Sequence, residues 1–214
     1  MICIVRIQAQ EKPELLWNNM LDNKDRLQDV LGNKGKILYL SKRRKYNEIS
    51  LFVHIADSNI LGDFIAEHLS KLEMVTGIWL INMLKPIFYP LPENALQMKR
   101  YTVTLKAYSS KLNEIYNALT ILKPSEDVKM SYLAYTCHLF GDCIQVSLQA
   151  IEGVDIQKYV NEAINRIPGV LRSTIYEIEK TYPFISYEEW QRYTSQNTVL
   201  MEWDEKNMVE QFRK

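Results

Sequence analysis

Few residues in this chain have the types and spacing that catalysis or metal binding requires. The three histidines, His54, His68 and His138, are scattered, whereas a zinc site needs about four nitrogen or sulfur ligands in clusters. His138 lies near the end of a strand-like segment, where it could act in acid–base chemistry or as an axial haem ligand. A buried, hydrogen-bonded histidine is the more common outcome. We therefore predict no catalytic residue, no metal site and no cofactor.

The sharpest charge feature is the basic run Lys42-Arg43-Arg44-Lys45. Such a run can contact phosphate or an acidic partner. Because it lies between two strand-like segments, we interpret it as a solvated hairpin tip. The chain as a whole has 26 basic and 26 acidic residues and a formal net charge of zero. It therefore lacks the positive excess that is typical of a dedicated nucleic-acid-binding protein.

The cysteines and the apolar segments indicate the compartment. Cys3, Cys137 and Cys143 form neither a CxxC motif nor an even-numbered disulfide framework, so we interpret them as small core residues. The apolar runs are much shorter than the roughly 20 residues that a membrane span needs. The first ten residues lack the features of a secretion signal. We expect a cytoplasmic protein that does not bind a membrane.

An internal repeat is the most informative pattern. Each half predicts the order strand, helix, strand, strand, helix, strand. In both halves the second helix follows a short polar stretch that contains Asp, and it ends before a glycine, Gly77 or Gly169. Ser58 or Asn59 and Asp155 are the expected N-caps of these two helices, because their side-chain oxygens can accept the free amide protons.

This order predicts an α+β fold of two tandem ferredoxin-like (βαββαβ) domains, each with an antiparallel sheet and both helices on one face. The other sheet face would be bare, and exposed apolar surface costs about 25 cal/mol per Å². We therefore expect the sheet faces to pack together as an α/β-barrel-like pseudo-dimer or dimer. The predicted boundaries are residues 1–92 for the first domain, 93–100 for a linker, 101–185 for the second domain and 186–214 for a C-terminal tail.

Two segments of the second half, FGDCIQVSLQA and VDIQKYVNEAINRIPGV, resemble the effector-binding domain of the Lrp/AsnC family of feast/famine regulators. The residues that match belong to a Gly-Asp turn, a helix start and a Pro-Gly-Val entry to the last strand, namely Gly141, Asp142, Asp155, Ile167, Pro168, Gly169 and Val170. The first half is similar more loosely. The sequence begins close to its first strand, so we expect no helix-turn-helix and no direct contact with nucleic acid.

The Lrp/AsnC resemblance implies a non-catalytic sensor of an amino acid or another small metabolite. Such a sensor would act through homo-oligomerisation or through a partner regulator of transcription. The candidate ligand-binding residues are His138, Gly141, Asp142, Tyr46 and Asn47.

Tandem ferredoxin-like chains are also similar to chlorite dismutases and haem decarboxylases, and to the small monooxygenases of the dimeric α/β-barrel group. That resemblance implies an enzyme, either haem-linked or of the monooxygenase type. Its pocket would lie in one half, with His138 or His54 near a tetrapyrrole or an aromatic substrate. A third alternative is a structural assembly partner without a pocket.

Overall fold

The computed structural model describes most of the chain. The described residues are 1–10, 12–92, 94–95, 97–122, 125–137 and 143–191.

Both halves have the element order that the sequence predicts, except that the first helix of the first half is divided in two. The first half contains β1 (Ile2–Ala9), α1 (Pro13–Asp22), α2 (Lys24–Leu31), β2 (Gly35–Arg43), β3 (Glu48–Ile55), α3 (Ser58–Phe64) and β4 (Val75–Phe88). The second half contains β5 (Lys99–Ala107), α4 (Leu112–Thr120), β6 (Val128–Cys137), β7 (Ile144–Ala150), α5 (Ile156–Tyr159) and β8 (Val170–Pro183). Helices α3 and α5 each continue into a short π-helical turn, Ile65–Leu69 and Val160–Ile164.

The strands pair antiparallel: β1 pairs with β3 and β4, β2 pairs with β3 and β8, and β7 pairs with β5 and β6. This confirms the α+β class and the antiparallel pairing. Two separate tandem domains are not shown, and the predicted domain boundaries remain predictions. The larger part of the predicted tail, residues 192–214, lies outside the described residues.

The chain divides into two compact units, which are considered separately. Unit 1 comprises the described residues of 1–83, 136–137 and 176–185. In unit 1, alternate residues of β1 and β3, such as Val5 and Leu51, pack with buried residues of α1, α2 and α3 into one apolar core. Strand β1 is central because it pairs with both β3 and β4.

Unit 2 comprises the described residues of 84–135, 143–175 and 186–191. Its core joins the alternating apolar residues of β5 and β7, such as Val103 and Val146, to the buried face of α4 and to the π-helical turn after α5. Among the described residues, no helix is long and apolar enough to cross a bilayer.

Local chemistry explains several element boundaries. Pro13 occupies the first turn of α1, where its missing N–H costs nothing. Asp155 caps α5 as predicted, accepting a hydrogen bond from the Lys158 amide at 3.0 Å. The cap of α3 is Asp57, which accepts from the Asn59 amide at 2.8 Å, so the prediction of Ser58 or Asn59 was wrong by one or two residues. Gly169 has φ of +99°, which only glycine adopts readily.

Candidate functional site

The strands of unit 1 carry polar groups on the side opposite their helices, and we call this side the strand face. Successive residues of a strand point to opposite sides. Since Val5, Ile7, Ile49 and Leu51 contact the helices, the residues between them, including Arg6 and Ser50, belong to the strand face.

The strand register defines rows of residues across the strand face. One row is polar: Arg6 of β1 lies opposite Ser50 of β3 on one side and Trp79 of β4 on the other. The next row is apolar, because Ile4 lies opposite Phe52, which stacks on the ring of Tyr39 with centroids 4.5 Å apart. The strand face therefore changes from apolar to polar between these two neighbouring rows.

Arg6, Arg43 and Glu48 form a buried group of charges, which we call the arginine cluster. The Glu48 carboxylate lies 3.3 Å from Nη1 of Arg43 and 3.7 Å from Nε of Arg6. The two arginines are only 8% and 4% exposed. Two guanidinium groups thus share one carboxylate in a region where an uncompensated charge is costly.

Aromatic rings adjoin the arginine cluster. The Arg43 guanidinium lies over the ring of Tyr176 of β8, 3.8 Å from its centroid, in cation–π geometry. Tyr46, one of the predicted ligand-binding residues, packs edge-on against Tyr176 with centroids 5.5 Å apart and is itself exposed. Glu48 and Tyr176 are partly exposed, so the cluster opens to solvent at this edge.

The other four predicted ligand-binding residues are not shown to contact the arginine cluster. Asn47 is exposed, and its side chain donates to the carbonyl of Gln10 at 3.4 Å, which ties the β2–β3 turn to the end of β1. His138, Gly141 and Asp142 lie outside the described residues, so their role stays a prediction.

The interpretation of the basic run as a solvated tip was wrong for its first two members. Lys42 and Arg43 are buried, whereas Arg44 is exposed and pairs with Glu177 at 2.8 Å. Consecutive strand residues point to opposite sides, so Arg43 joins the arginine cluster while Lys42 turns toward α1.

Lys42 belongs to a separate ionic network on the helix side. Its ammonium contacts the Glu14 carboxylate and lies 3.1 Å from that of Glu179, and Lys180 reaches Glu14 at 2.6 Å. Burial alone would lower the pKa of Lys42, but the hydrogen bonds to Glu14 and Glu179 raise it above its usual value. Hydrogen bonds from Lys180 and then Lys42 lower the pKa of Glu14. These charges bind α1 to the strands.

The corresponding strand face of unit 2 is polar but uncharged at its centre. Gln145 donates to the hydroxyl of Tyr132, and the Ser131 and Ser147 hydroxyls are hydrogen-bonded at 2.7 Å. The side-chain oxygen atoms of Thr104 and Gln149 are buried and have no hydrogen-bond partner in the part of the chain that the structure describes. The described residues of unit 2 include no histidine.

His54 is the histidine of the strand face in unit 1. It follows Phe52 by two residues on β3 and lies opposite Ile2. Burial, followed by the positive charge of the amino terminus, lowers its pKa, so the neutral imidazole is favoured. Within the described ranges, no group of three or more His, Cys, Asp or Glu side chains is placed to hold a metal ion.

The comparison with known proteins rests on structure, since no protein-family model and no curated protein matches this chain. A monooxygenase-like protein from Lactobacillus acidophilus NCFM aligns with a TM-score of 0.52 and 6% identity, over 85% of this chain and 95% of that one. An anthrone oxidase-like protein aligns with 0.51 and 10%, over 87% and 94%. Chlorite dismutase from Candidatus Nitrospira defluvii aligns with 0.50 and 12%, over 90% and 94%. The chain shares their fold.

These neighbours overturn the Lrp/AsnC resemblance and the non-catalytic, transcription-related sensor that it implies. The Pro-Gly-Val motif that resembles the Lrp/AsnC family reflects the local backbone conformation before β8. Gly169 takes a positive φ between the π-helical turn and β8, and its carbonyl accepts from the Tyr108 amide at 3.1 Å. A helix followed by such a turn and a strand recurs in many chains of this element order, whatever their function.

The residues of the arginine cluster were missed because each looks ordinary alone. Arg6 interrupts the strand ICIVRIQA, in which the residues before and after it are apolar and buried. This charged residue within an apolar strand is the feature of the sequence that could have indicated a functional role for Arg6. Glu48 and Trp79 become part of the same face only through the register of β1 with β3 and β4.

Proposed function

We propose that this chain is an enzyme of the monooxygenase type and that the arginine cluster binds a substrate that reacts as an oxyanion. The observation that supports this is the pair of buried guanidinium groups, Arg6 and Arg43, both of which lie against the carboxylate of Glu48. Preorganised positive groups in a region of low dielectric stabilise developing negative charge strongly. The fold shared with monooxygenase-like and anthrone oxidase-like proteins supports this reaction class.

The proposed chemistry needs little from the protein beyond charge and position. Loss of a proton from a phenol, or from a carbon next to a carbonyl, gives an oxyanion whose delocalised electrons can pass to dioxygen. For an activated methylene group the balance is CH₂ + O₂ → C=O + H₂O, so one oxygen atom enters the product and the other leaves as water. Arg6 and Arg43 would hold the oxyanion, and Glu48 would orient both guanidinium groups through its hydrogen bond and ion pair.

A haem, which the chlorite dismutase neighbour raises as an alternative, does not fit the described residues. His54 offers a neutral imidazole on the strand face. However, the apolar side chains beside it, Ile2, Ile4 and Phe52, are almost completely buried and leave no open surface there for a macrocycle. No step of the proposed reaction is therefore assigned to haem.

We further propose that each half is a ferredoxin-like unit with the boundaries 1–92 and 101–185, and that the chain forms a homo-oligomer. The repeated order β-α-β-β-α-β supports the first proposal. Light scattering at several protein concentrations tests the second, which fails if the mass stays that of one 25.2 kDa chain.

The direct test is oxygen consumption with a panel of anthrones, naphthols and hydroxyquinones. The wild-type protein should consume dioxygen with at least one of them and transfer one ¹⁸O atom from ¹⁸O₂ to the product, as seen by mass spectrometry. Arg6→Gln and Arg43→Gln should lower the rate by about 100-fold, as loss of one oxyanion donor does. Arg44→Gln is the matched control, because Arg44 is exposed and outside the cluster.

Two results would refute the proposal. One is a wild-type rate equal to that of the buffer for every compound of the panel. The other is a rate in Arg6→Gln and Arg43→Gln equal to that of Arg44→Gln, with all three variants folded by circular dichroism.

A further inference from the structure

A polar groove of about 350 Å³ lies between α5 with its π-helical turn and the start of β8, and we call it the amide groove. Three carboxamide side chains, which we call the amide row, form its helix wall, and four residues of β8 form its strand wall: Gln157, Asn161 and Asn165, then Val170, Leu171, Arg172 and Ser173. Both walls belong to unit 2. Side chains of consecutive strand residues point to opposite sides. Four consecutive residues therefore line one groove only where the backbone edge of the strand faces it.

That edge of β8 has no paired strand among the described residues. Strand β8 is hydrogen-bonded to β5 along its other edge, and β2 pairs only with the later part of β8. Beyond that pairing, the Arg44 amide donates to the Glu177 carbonyl at 2.9 Å. Backbone groups of an antiparallel strand alternate in direction, so those of Leu171, Ser173 and Ile175 point to the same side as those of Glu177. We call these three residues the open edge.

The amide row is internally hydrogen-bonded but not saturated. Oδ1 of Asn161 accepts from Nε2 of Gln157 at 3.2 Å and from Nδ2 of Asn165 at 2.8 Å. Oδ1 of Asn165 is buried and has no hydrogen-bond partner within the described part of the chain. A buried acceptor without a donor is unfavourable. The orientation of the row therefore leaves an acceptor that a donor from outside the chain can satisfy.

The first half of the chain shows that the fold does not require these amides. The π-helical turns Ile65–Leu69 and Val160–Ile164 occupy the same place in the two halves. Counted from these turns, the positions that match the amide row carry Gly62, Ala66 and Ser70 in the first half. There the Ser70 hydroxyl donates to the Ala66 carbonyl of its own helix at 2.6 Å. The unsaturated amide row is thus a feature of the second half, at a π-helical turn of the kind often found at functional sites.

We propose that the amide groove and the open edge form a twofold interface with a second copy of this chain, in which the two β8 strands pair antiparallel and the two amide rows face each other. This inference rests on the homo-oligomer proposed above and is independent of the oxidation reaction. A twofold axis through Ser173, the middle of the open edge, sets Leu171 of each copy opposite Ile175 of the partner subunit. Strand addition at such an edge is a common mode of recognition.

The chemistry of the amide row favours an identical partner. A twofold interface brings the same surface of both copies together, so its groups must complement themselves. A carboxamide meets this condition because it both donates and accepts hydrogen bonds. The unpartnered Oδ1 of Asn165 can then accept from Nδ2 of Asn161 of the partner subunit.

The composition of the strand wall also suits self-pairing. Leu171 is 47% exposed and would gain an apolar cross-strand neighbour. Arg172 carries the one charge among the residues that line the groove, and the axis through Ser173 sets it opposite Thr174 of the partner subunit rather than opposite a second arginine. Proteins commonly protect a free strand edge with lysine or proline, and the open edge contains neither.

Disulfide cross-linking tests the register of the two strands. In the full chain with Cys137 and Cys143 replaced by serine, Ser173→Cys should form a disulfide-linked dimer under mild oxidation. Directly opposed residues of a hydrogen-bonded pair have Cα atoms about 5.5 Å apart, which a disulfide can span. Ile121→Cys is the matched control, because Ile121 is 80% exposed in unit 2 and does not line the groove. It should cross-link about tenfold more slowly, since its thiols meet only by chance.

Sedimentation equilibrium of full-length variants measures the strength of association. Ser173→Pro removes an N–H that points to the open edge, so β8 keeps its pairing with β5. By symmetry two hydrogen bonds are lost, each corresponding to about tenfold, and the dissociation constant should rise about 100-fold. Asn165→Asp places like charges across the interface and should raise the dissociation constant at least about tenfold, even if Ser173→Pro fails to fold. Asn117→Asp makes the same replacement on α4 and should leave association unchanged.

The outcomes separate the interface from the homo-oligomer itself. If the wild type has the mass of one 25.2 kDa chain at every concentration, both are wrong. If the wild type associates, but Asn165→Asp associates as tightly as Asn117→Asp and Ser173→Cys cross-links no faster than Ile121→Cys, the interface is wrong while the homo-oligomer stands.

Discussion

Replacement of Glu48 by glutamine tests the electrostatics of the arginine cluster without reference to any substrate. The exposed fractions of the side chains are 9% for Arg6, 5% for Arg43 and 18% for Glu48. The Glu48 carboxylate is therefore a counter-charge for both guanidinium groups. At an effective dielectric constant of about 20, two unit charges 4 Å apart attract by about 4 kcal/mol. Glutamine keeps a hydrogen-bond acceptor but removes this attraction.

We expect Glu48→Gln to lower the free energy of unfolding by about 3 kcal/mol, the lower end of the cost of leaving a buried charge without its partner. Urea is the suitable denaturant, because guanidinium chloride would screen the charges. The control is Glu177→Gln, which breaks the exposed pair with Arg44 and should cost less than about 1 kcal/mol.

A second arm of the experiment adds sodium sulfate. An anion that binds the two guanidinium groups of Glu48→Gln stabilises the folded state, by about 2.7 kcal/mol at 100 times its dissociation constant. Sulfate also stabilises proteins in general by exclusion from their surfaces, and Glu177→Gln measures that contribution. If Glu48→Gln unfolds at the same urea concentration as Glu177→Gln, and sulfate acts equally on both, the arginine cluster is not the buried anion site that we describe.

Three further predictions concern the fold. Gly169→Ala should lower the free energy of unfolding in urea by about 2 kcal/mol, because φ is +99° and a Cβ at this position would stand 2.6 Å from that of Lys111. The control is Gly62→Ala on α3, where a Cβ would meet no atom within 4 Å; this variant should raise the free energy of unfolding by about 0.5–1 kcal/mol. Equal effects of the two substitutions would contradict the prediction. Burial lowers the pKa of His54, so protonation favours the unfolded state. The free energy of unfolding should therefore decrease as the pH is lowered beneath about 6.5. His54→Gln should reduce this dependence of the free energy of unfolding on pH, as measured by urea titration at several pH values. Burial raises the pKa of the Cys3 thiol to about 12. In a variant whose other two cysteines are replaced by serine, this thiol should react with an aromatic disulfide reagent only after the protein unfolds. Rapid reaction of the folded variant at pH 8 would show that the thiol is accessible and would contradict the prediction.

The sequence could predict the order of elements because the signals for it are local. The alternation in YTVTLKAY marks β5, and the side chain of Asp155 fixes the start of α5. Strands β4 and β8 are 14 residues long each, and local signals do not account for their full length. Their later residues lack strict alternation, and pairing with other strands, which is not local, holds them extended.

The candidate site could not be predicted for the same physical reason. Arg43 stands in a basic run that is typical of an exposed turn, yet it is buried because Tyr176 covers its guanidinium and Glu48 pairs with it. Tyr176 is more than 130 residues away along the chain, and only the pairing of β2 with β8 brings it there. Of the two predicted ligand-binding residues that the structure describes, Tyr46 and Asn47, Tyr46 packs against Tyr176.

The two halves share their element order but not the chemistry of their strand faces. At the centre of the face, unit 1 has Arg6 and unit 2 has the uncharged pair Gln145 and Tyr132. Transfer of an arginine side chain from water to the protein interior is unfavourable by several kcal/mol unless other groups compensate its charge. A buried arginine is therefore expected only where interactions within the fold, or with a ligand, offset this free energy. The buried groups of unit 2 carry no charge that a substrate anion would neutralise. We therefore expect an anion to stabilise unit 1 selectively, and hydrogen exchange in the presence of 4-nitrophenolate should slow on β1 and β3 while β5 and β7 stay unchanged.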